Sequence, residues 1–92
     1  KIPSDFDDKS RKLLKAFLTR DGGIRLIPPQ PNLQVVLKYL VQFFEFDANY
    51  TEKEVNTIIR RFNEDTASLR RELVEADMLA RKSDGSRYWR VK

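Results

Sequence analysis

The 92-residue chain has no cysteine and no histidine. Their absence excludes disulfides, zinc sites built from the usual ligands, and thiol or imidazole catalysis. The catalytic side chains that remain are Ser, Lys, Tyr and the carboxylates. None of them stands in a recognisable arrangement: there is no GxSxG, no GxxxxGK[ST] and no EF-hand loop. The expectation is a protein that is not an enzyme and needs no cofactor or metal. No run of eighteen apolar residues occurs, so no transmembrane helix is expected. The opening "KIPSDFDDKSRK" lacks the apolar stretch of a signal peptide. It also lacks an initiator Met, which predicts an excised or trimmed segment. These absences fit a cytoplasmic protein with no membrane partner.

What is present suffices for one small core. The length predicts a single domain over 1–92, and six Phe, three Tyr and one Trp can fill a core between three or four helices. The net charge is +4, which permits a polyanion partner. Residues 60–92 hold nine Lys/Arg against six Asp/Glu, while residues 1–59 hold nine against eight. On that division the C-terminal third is the more basic part.

Hydrophobic spacing divides the chain into elements. "SDFDDKSRKLLKAFLTRDGG" predicts a first helix, capped by Ser4 or Asp7, with Leu13, Leu14, Phe17 and Leu18 on one face and Gly22–Gly23 as its stop. "IRLIPPQP" predicts one short extended segment, with Leu26 and Ile27 paired or laid on the core. "PNLQVVLKYLVQFFEF" predicts a central helix, with Leu33, Val36, Leu37, Leu40, Val41 and Phe44 at helical spacing and Phe43 and Phe46 widening the stripe. "YTEKEVNTIIRRFNED" carries a capping box, Thr51 with Glu54, and Tyr50 as a candidate staple to Val55. Val55, Ile58, Ile59 and Phe62 form its apolar stripe. A fourth helix over about 65–77, capped by Asn63 or Asp65, aligns Thr66, Leu69, Leu73 and Ala76. At about 100° per residue its opposite face holds Ala67, Ser68, Arg71 and Glu75, with Arg70 on the flank. "MLARKSDGSRYWRVK" predicts a hairpin turning at Asp84-Gly85. Its expected core face is Leu79, Trp89 and Val91, with Arg81, Lys82, Arg87 and Arg90 near the tip or outside.

The fold class that follows is mainly α with a small β-hairpin (α+β). Three helices and a hairpin over 31–92 have the order of a winged helix-turn-helix, with an added N-terminal helix and short strand over 1–30. The segment "LRRELVEADMLARKSDGSRYWRV" is similar to the end of ArsR-type winged-helix repressors, where a recognition helix runs into a basic wing. "LLKAFLTRDGGIRLIP", "YTEKEVNTIIRRF", "LRRELVEADMLAR" and "YWRV" together resemble the bacterial domain-of-unknown-function family 2087. That resemblance implies a cytoplasmic bacterial winged-helix domain, found alone or fused behind an ArsR-type DNA-binding domain, with no established activity. Two departures stand out. Family members often carry His before the LRREL helix, where this chain has "FNEDTASL". They usually have Gly at the position of Asp77, where a left-handed cap is expected.

Two functional readings follow from this scaffold. In the first, the domain is a DNA-binding module of a bacterial transcriptional regulator. The helix over 65–77 enters the major groove, Ser68 and Arg71 meet bases or phosphate, and Arg70 clamps phosphate if it turns outward. Arg81, Lys82, Arg87 and Arg90 follow the backbone from the wing over 79–91, and Arg60 and Arg61 touch phosphate from the side. Glu64, Asp65 and Glu75 oppose this reading, and Arg71 has Glu75 as a possible partner four residues on. In the second reading the fold is a protein-interaction or dimerisation module without direct DNA contact, in a homodimer or against a fused or partner regulatory domain. Val74, off the core stripe, fits such a contact. A ligand pocket lined by Tyr39, Phe43 and Phe46 is a weaker third reading.

Overall fold

A computed structural model describes residue 2 and residues 5–92. Four helices, α1 (Asp8–Phe17), α2 (Asn32–Val41), α3 (Glu52–Arg60) and α4 (Thr66–Glu75), precede strands β1 (Leu79–Arg81) and β2 (Tyr88–Arg90). The strands form an antiparallel pair, and Tyr50 adds a single bridge to Tyr88 on the other side of β2. From α2 onward the order is helix, bridge, helix, helix, hairpin, which is that of a winged helix-turn-helix.

Helices α1, α3 and α4 start where side-chain chemistry satisfies their free amides, whereas α2 follows Pro31 with no side-chain cap. The Asp7 carboxylate accepts from Ser10 N at 2.7 Å and caps α1; the alternative cap, Ser4, lies outside the described residues. Thr51 and Glu54 form the expected capping box at α3. Asp65 caps α4, accepting from Ser68 N. Asn63 holds the turn before α4: its Oδ1 accepts from Asp65 N, and its Nδ2 donates to Ile24 O, both at 2.8 Å.

The core is built around α2, whose Leu33, Val36, Leu37, Tyr39, Leu40 and Val41 are all buried. Leu14 of α1, Val55 and Ile59 of α3, Leu69 and Leu73 of α4, and Leu79 of β1 close on it. The predicted stripes of α3 and α4 are therefore the faces that pack. Burying one such side chain stabilises the fold by roughly 1.5–3 kcal/mol.

Several expectations are corrected. Helix α1 stops at Phe17, before the glycines, because Leu18 turns extended and bridges Ile24. Gly22, at φ 93°, instead makes the tight turn between them, and its carbonyl accepts from Tyr39 Oη at 2.6 Å. The extended segment is only that one bridge. Ile24 is buried, but Leu26 is 52% exposed rather than laid on the core. Phe43 and Phe46 are exposed as well, since α2 ends at Val41 and helical spacing no longer applies to them. In the hairpin, Leu79 pairs with Arg90 and Arg81 with Tyr88. Directly opposed residues share a face, so Tyr88 and Arg90 point inward with Leu79. Trp89 and Val91 lie outside, 36% and 40% exposed.

Helix α4 ends in a Schellman motif. Met78 N bonds Leu73 O and Asp77 N bonds Val74 O, each at 3.0 Å, with Asp77 at φ 58°. An L-residue held left-handed is strained, and glycine is not. Asp77→Gly is therefore expected to raise stability by about 0.5–1 kcal/mol, read as a higher urea midpoint at unchanged slope. A lower midpoint would mean that Asp77 makes a compensating contact.

Candidate nucleic-acid interface

Helix α4 and the hairpin enclose an open groove. Arg70, Arg71 and Arg81 line it with Glu52, Glu72 and Glu75, and Ser68, Val74 and Tyr88 complete the wall. Cations and carboxylates are equal in number there. Three of the seven residues expected at a DNA surface meet in this groove as arginines, and Ser68 joins them. Lys82, Arg87 and Arg90 are not among its lining residues.

The seven divide by what already holds them. Arg70 turns toward α3. Its Nη1 donates to Asn56 Oδ1, and its Nη2 lies 3.9 Å from Glu52 Oε2, with the side chain only 15% exposed. Arg81 donates to the carbonyls of Lys82 and Ser83, both at 3.0 Å, and its guanidinium lies over the Tyr88 ring. The outward placement expected for Arg90 is overturned by the strand register. Arg90 Nη1 donates to Phe44 O at 3.0 Å, and its guanidinium covers the Phe46 ring 3.9 Å from the centroid. Ser68 is half-buried on the groove side of the cap made by Asp65. Among the described residues, the side chains of Arg71, Lys82 and Arg87 make no ion pair. All three are exposed, and the expected alternative, Arg71 with Glu75, is not formed. Arg60 is exposed, and Arg61 lies over the Phe62 ring at 5.8 Å.

Sequence reasoning missed Glu52, Asn56 and Tyr88. Glu52 accepts from Tyr88 Oη at 3.2 Å as well as facing Arg70, so one carboxylate joins α3, α4 and the wing. No local pattern marks it, because its partners lie 18 and 36 residues away in sequence. The aromatic trio suggested as a pocket is split. Tyr39 and Phe43 pack edge to face at 5.4 Å, while Phe46 serves Arg90.

The wing tip holds a carboxylate in its ionised form. Asp84 Oδ1 accepts from Ser86 N at 2.9 Å, and this bond, with the Ser86 hydroxyl and the charge of Arg81, pulls the Asp84 pKa below its ordinary 3.8. A depressed carboxylate pKa stabilises the fold above the unfolded value and loses that contribution as pH falls through the folded one. The Ser86 amide is therefore expected to exchange faster as pH drops below about 4 once intrinsic exchange is corrected for. A flat protection profile down to pH 2 would contradict the bond. A second prediction separates the two adjacent arginines. Arg70→Ala is expected to cost about 1–2 kcal/mol of stability by leaving Asn56 unpaired, and Arg71→Ala less than about 0.5 kcal/mol, both by urea unfolding. Equal costs would place both in the structural framework.

No curated protein and no solved structure matches the chain. A family described as "Uncharacterized protein conserved in bacteria (DUF2087)" matches residues 25–90, which take in α2, α3, α4 and both strands. The match covers well over half of the sequence, and the chain belongs to this bacterial family.

Proposed function

We propose that the domain is a DNA-binding winged-helix module of a bacterial transcriptional regulator, cytoplasmic and without catalytic activity. Helix α4 is its recognition helix and β1–β2 its wing. The observation that carries this reading is the freedom of Arg71, Lys82 and Arg87. One projects from α4 and two from the wing, and none is consumed by an ion pair among the described residues. An Arg on a recognition helix can address guanine through a bidentate contact. Wing cations suit the flanking backbone. A relation to ArsR-type regulators, suggested by the LRREL-to-wing segment, is part of the proposal.

A second reading has its own support. The groove carries as many carboxylates as arginines, and Phe46, Trp89 and Val91 expose apolar surface. Both features suit a protein partner, in a homodimer or with a fused or separate regulatory domain.

Selection of duplexes from a random pool, followed by fluorescence anisotropy, separates the two. The DNA reading expects selected duplexes to bind more tightly than the pool. Arg71→Ala should then cost about 1–3 kcal/mol on the selected sequence. Selected duplexes that bind no better than the pool, with Arg71→Ala silent, would leave the interaction reading.

A further inference from the structure

The positive charge of this domain gathers in two places, and the first is the hairpin and the residues after it, where 79–92 hold five Lys/Arg against Asp84. Between residues 9 and 25 stand Lys9, Arg11, Lys12, Lys15, Arg20 and Arg25, against a single carboxylate, Asp21. That is an excess of five in a chain whose net charge is +4, so all other residues sum to −1. The groove between α4 and the wing is charge-balanced. With Asp8, its first residue, α1 and the loop after it hold an excess of four, equal to that of residues 79–92, so they attract a polyanion at long range as much as the hairpin does.

We propose that the solvent face of α1 and the loop 18–25 form a second phosphate-contacting surface of the domain, with duplex DNA as its partner. The proposal rests on the DNA-binding reading and adds a second surface to it. Helix α1 buries Leu14 and packs Phe17 on the core, which leaves Lys9, Lys12 and Lys15 exposed. Arg11, Lys15, Thr19 and Arg20 line one shallow concavity where the helix meets the loop. Asp21 keeps its negative charge there, since the hydrogen bond it accepts from Thr19 Oγ1 holds its pKa below the ordinary 3.8, and it is the one carboxylate between residues 9 and 25. Arg25 is folded back on Ala16 O, so Lys12, Lys15 and Arg20 are the side chains left to reach outward. Among the described residues, none of these three makes an ion pair.

The loop is fixed relative to the helix-turn-helix. Ile24 N bonds Phe62 O, and Asn63 Nδ2 bonds Ile24 O, both at 2.8 Å, at the C-terminal end of α3. The wing is tied to the other end, through Tyr88 and Glu52. The two ties therefore sit at opposite ends of α3, which is nine residues long, about 13 Å at 1.5 Å per residue, with Phe62 and Asn63 just beyond its last turn. A membrane surface is a poorer fit, because Leu14 and Phe17 of α1 are already spent on the core.

The test is the salt dependence of binding of a labelled duplex to the intact chain, for the wild type and three variants. Each lost phosphate contact lowers the slope of log K against log salt by about 0.9. Replacing Lys12, Lys15 and Arg20 together by Gln is expected to flatten the slope by about 2–3 and to weaken low-salt binding at least tenfold. Arg71→Ala should change it by about one or less. Lys12→Arg with Lys15→Arg should keep the wild-type slope, and circular dichroism should show all variants folded. A wild-type slope in the Gln variant, with loss in Arg71→Ala, would overturn the α1 surface and leave the DNA reading standing. No duplex binding by the wild type at low salt would overturn both. Binding to phosphatidylserine vesicles but not to duplex would replace the partner.

Discussion

Two backbone hydrogen bonds hold this architecture in register: Tyr50 N to Tyr88 O and Tyr88 N to Tyr50 O, each 2.8 Å. They attach the wing to the residue just before α3, so the strand pairing and the capping box of Thr51 and Glu54 share one backbone stretch. With the Tyr88 ring buried and its hydroxyl on Glu52, the inner face of the hairpin has no freedom to slide. A shift of one residue would expel Tyr88 and Leu79 and pull in Trp89 and Ala80. The groove depends on the same contact, because Glu52 is also the carboxylate opposite Arg70. Positioning of α4 against the wing is thus settled by the pairing of Tyr88 in the wing with Tyr50, which lies outside both.

Local chemistry explains why so much of the fold was legible. The α3 capping box, the α4 stripe of Thr66, Leu69 and Leu73, and the Asp84-Gly85 turn are contained within a few residues, and each formed as the sequence implies. The left-handed Asp77 agrees with the glycine that the resembled family usually carries at that position. The hairpin faces were misread, with Trp89 and Val91 placed inward where Tyr88 and Arg90 lie, although the turn held the register. A turn centred on Asp84 and Gly85 pairs 79 with 90 and 81 with 88, which puts Tyr88 beside Leu79. Alternation along one strand gives two possible faces, and hydrophobicity alone selects Trp89; pairing across the turn selects Tyr88. Leu26, Phe43 and Phe46 misled for a related reason, since apolar character was read as burial after the helical period had ended. Singly exposed apolar side chains need no such explanation.

The candidate site was legible as a list of side chains but not as an arrangement. Nothing near Arg70 in sequence indicates Asn56, and nothing near Arg90 indicates the carbonyl of Phe44. Those bonds span 14 and 46 residues and arise only when helix meets helix and strand meets loop. They remove two arginines from the surface on which the chain's periodicity would count them. The division of charge at residue 60 hid a second feature. It averaged the acidic entry to α1 and the acids before and within α3 with the basic run 9–25, and so returned near-neutrality for a segment in which six Lys/Arg stand against one carboxylate over 9–25.

That distribution bears on how such a domain could discriminate. Phosphate attraction is indifferent to sequence, and specificity is the difference between affinities for right and wrong partners. A reading face crowded with lysines raises both affinities together. Glutamates beside Arg71 lower the affinity for any backbone that approaches without the correct base edge, because an unmatched carboxylate near phosphate is repelled and desolvated without return. On the proposed reading, Glu72 and Glu75 then act against wrong sequences. The cost in general attraction is offset at a distance by the basic face of α1, across the length of α3. Anchoring and reading are thereby assigned to opposite ends of one short helix. The Ile24–Phe62–Asn63 bonds at one end and the Tyr50–Tyr88–Glu52 bonds at the other keep that spacing fixed.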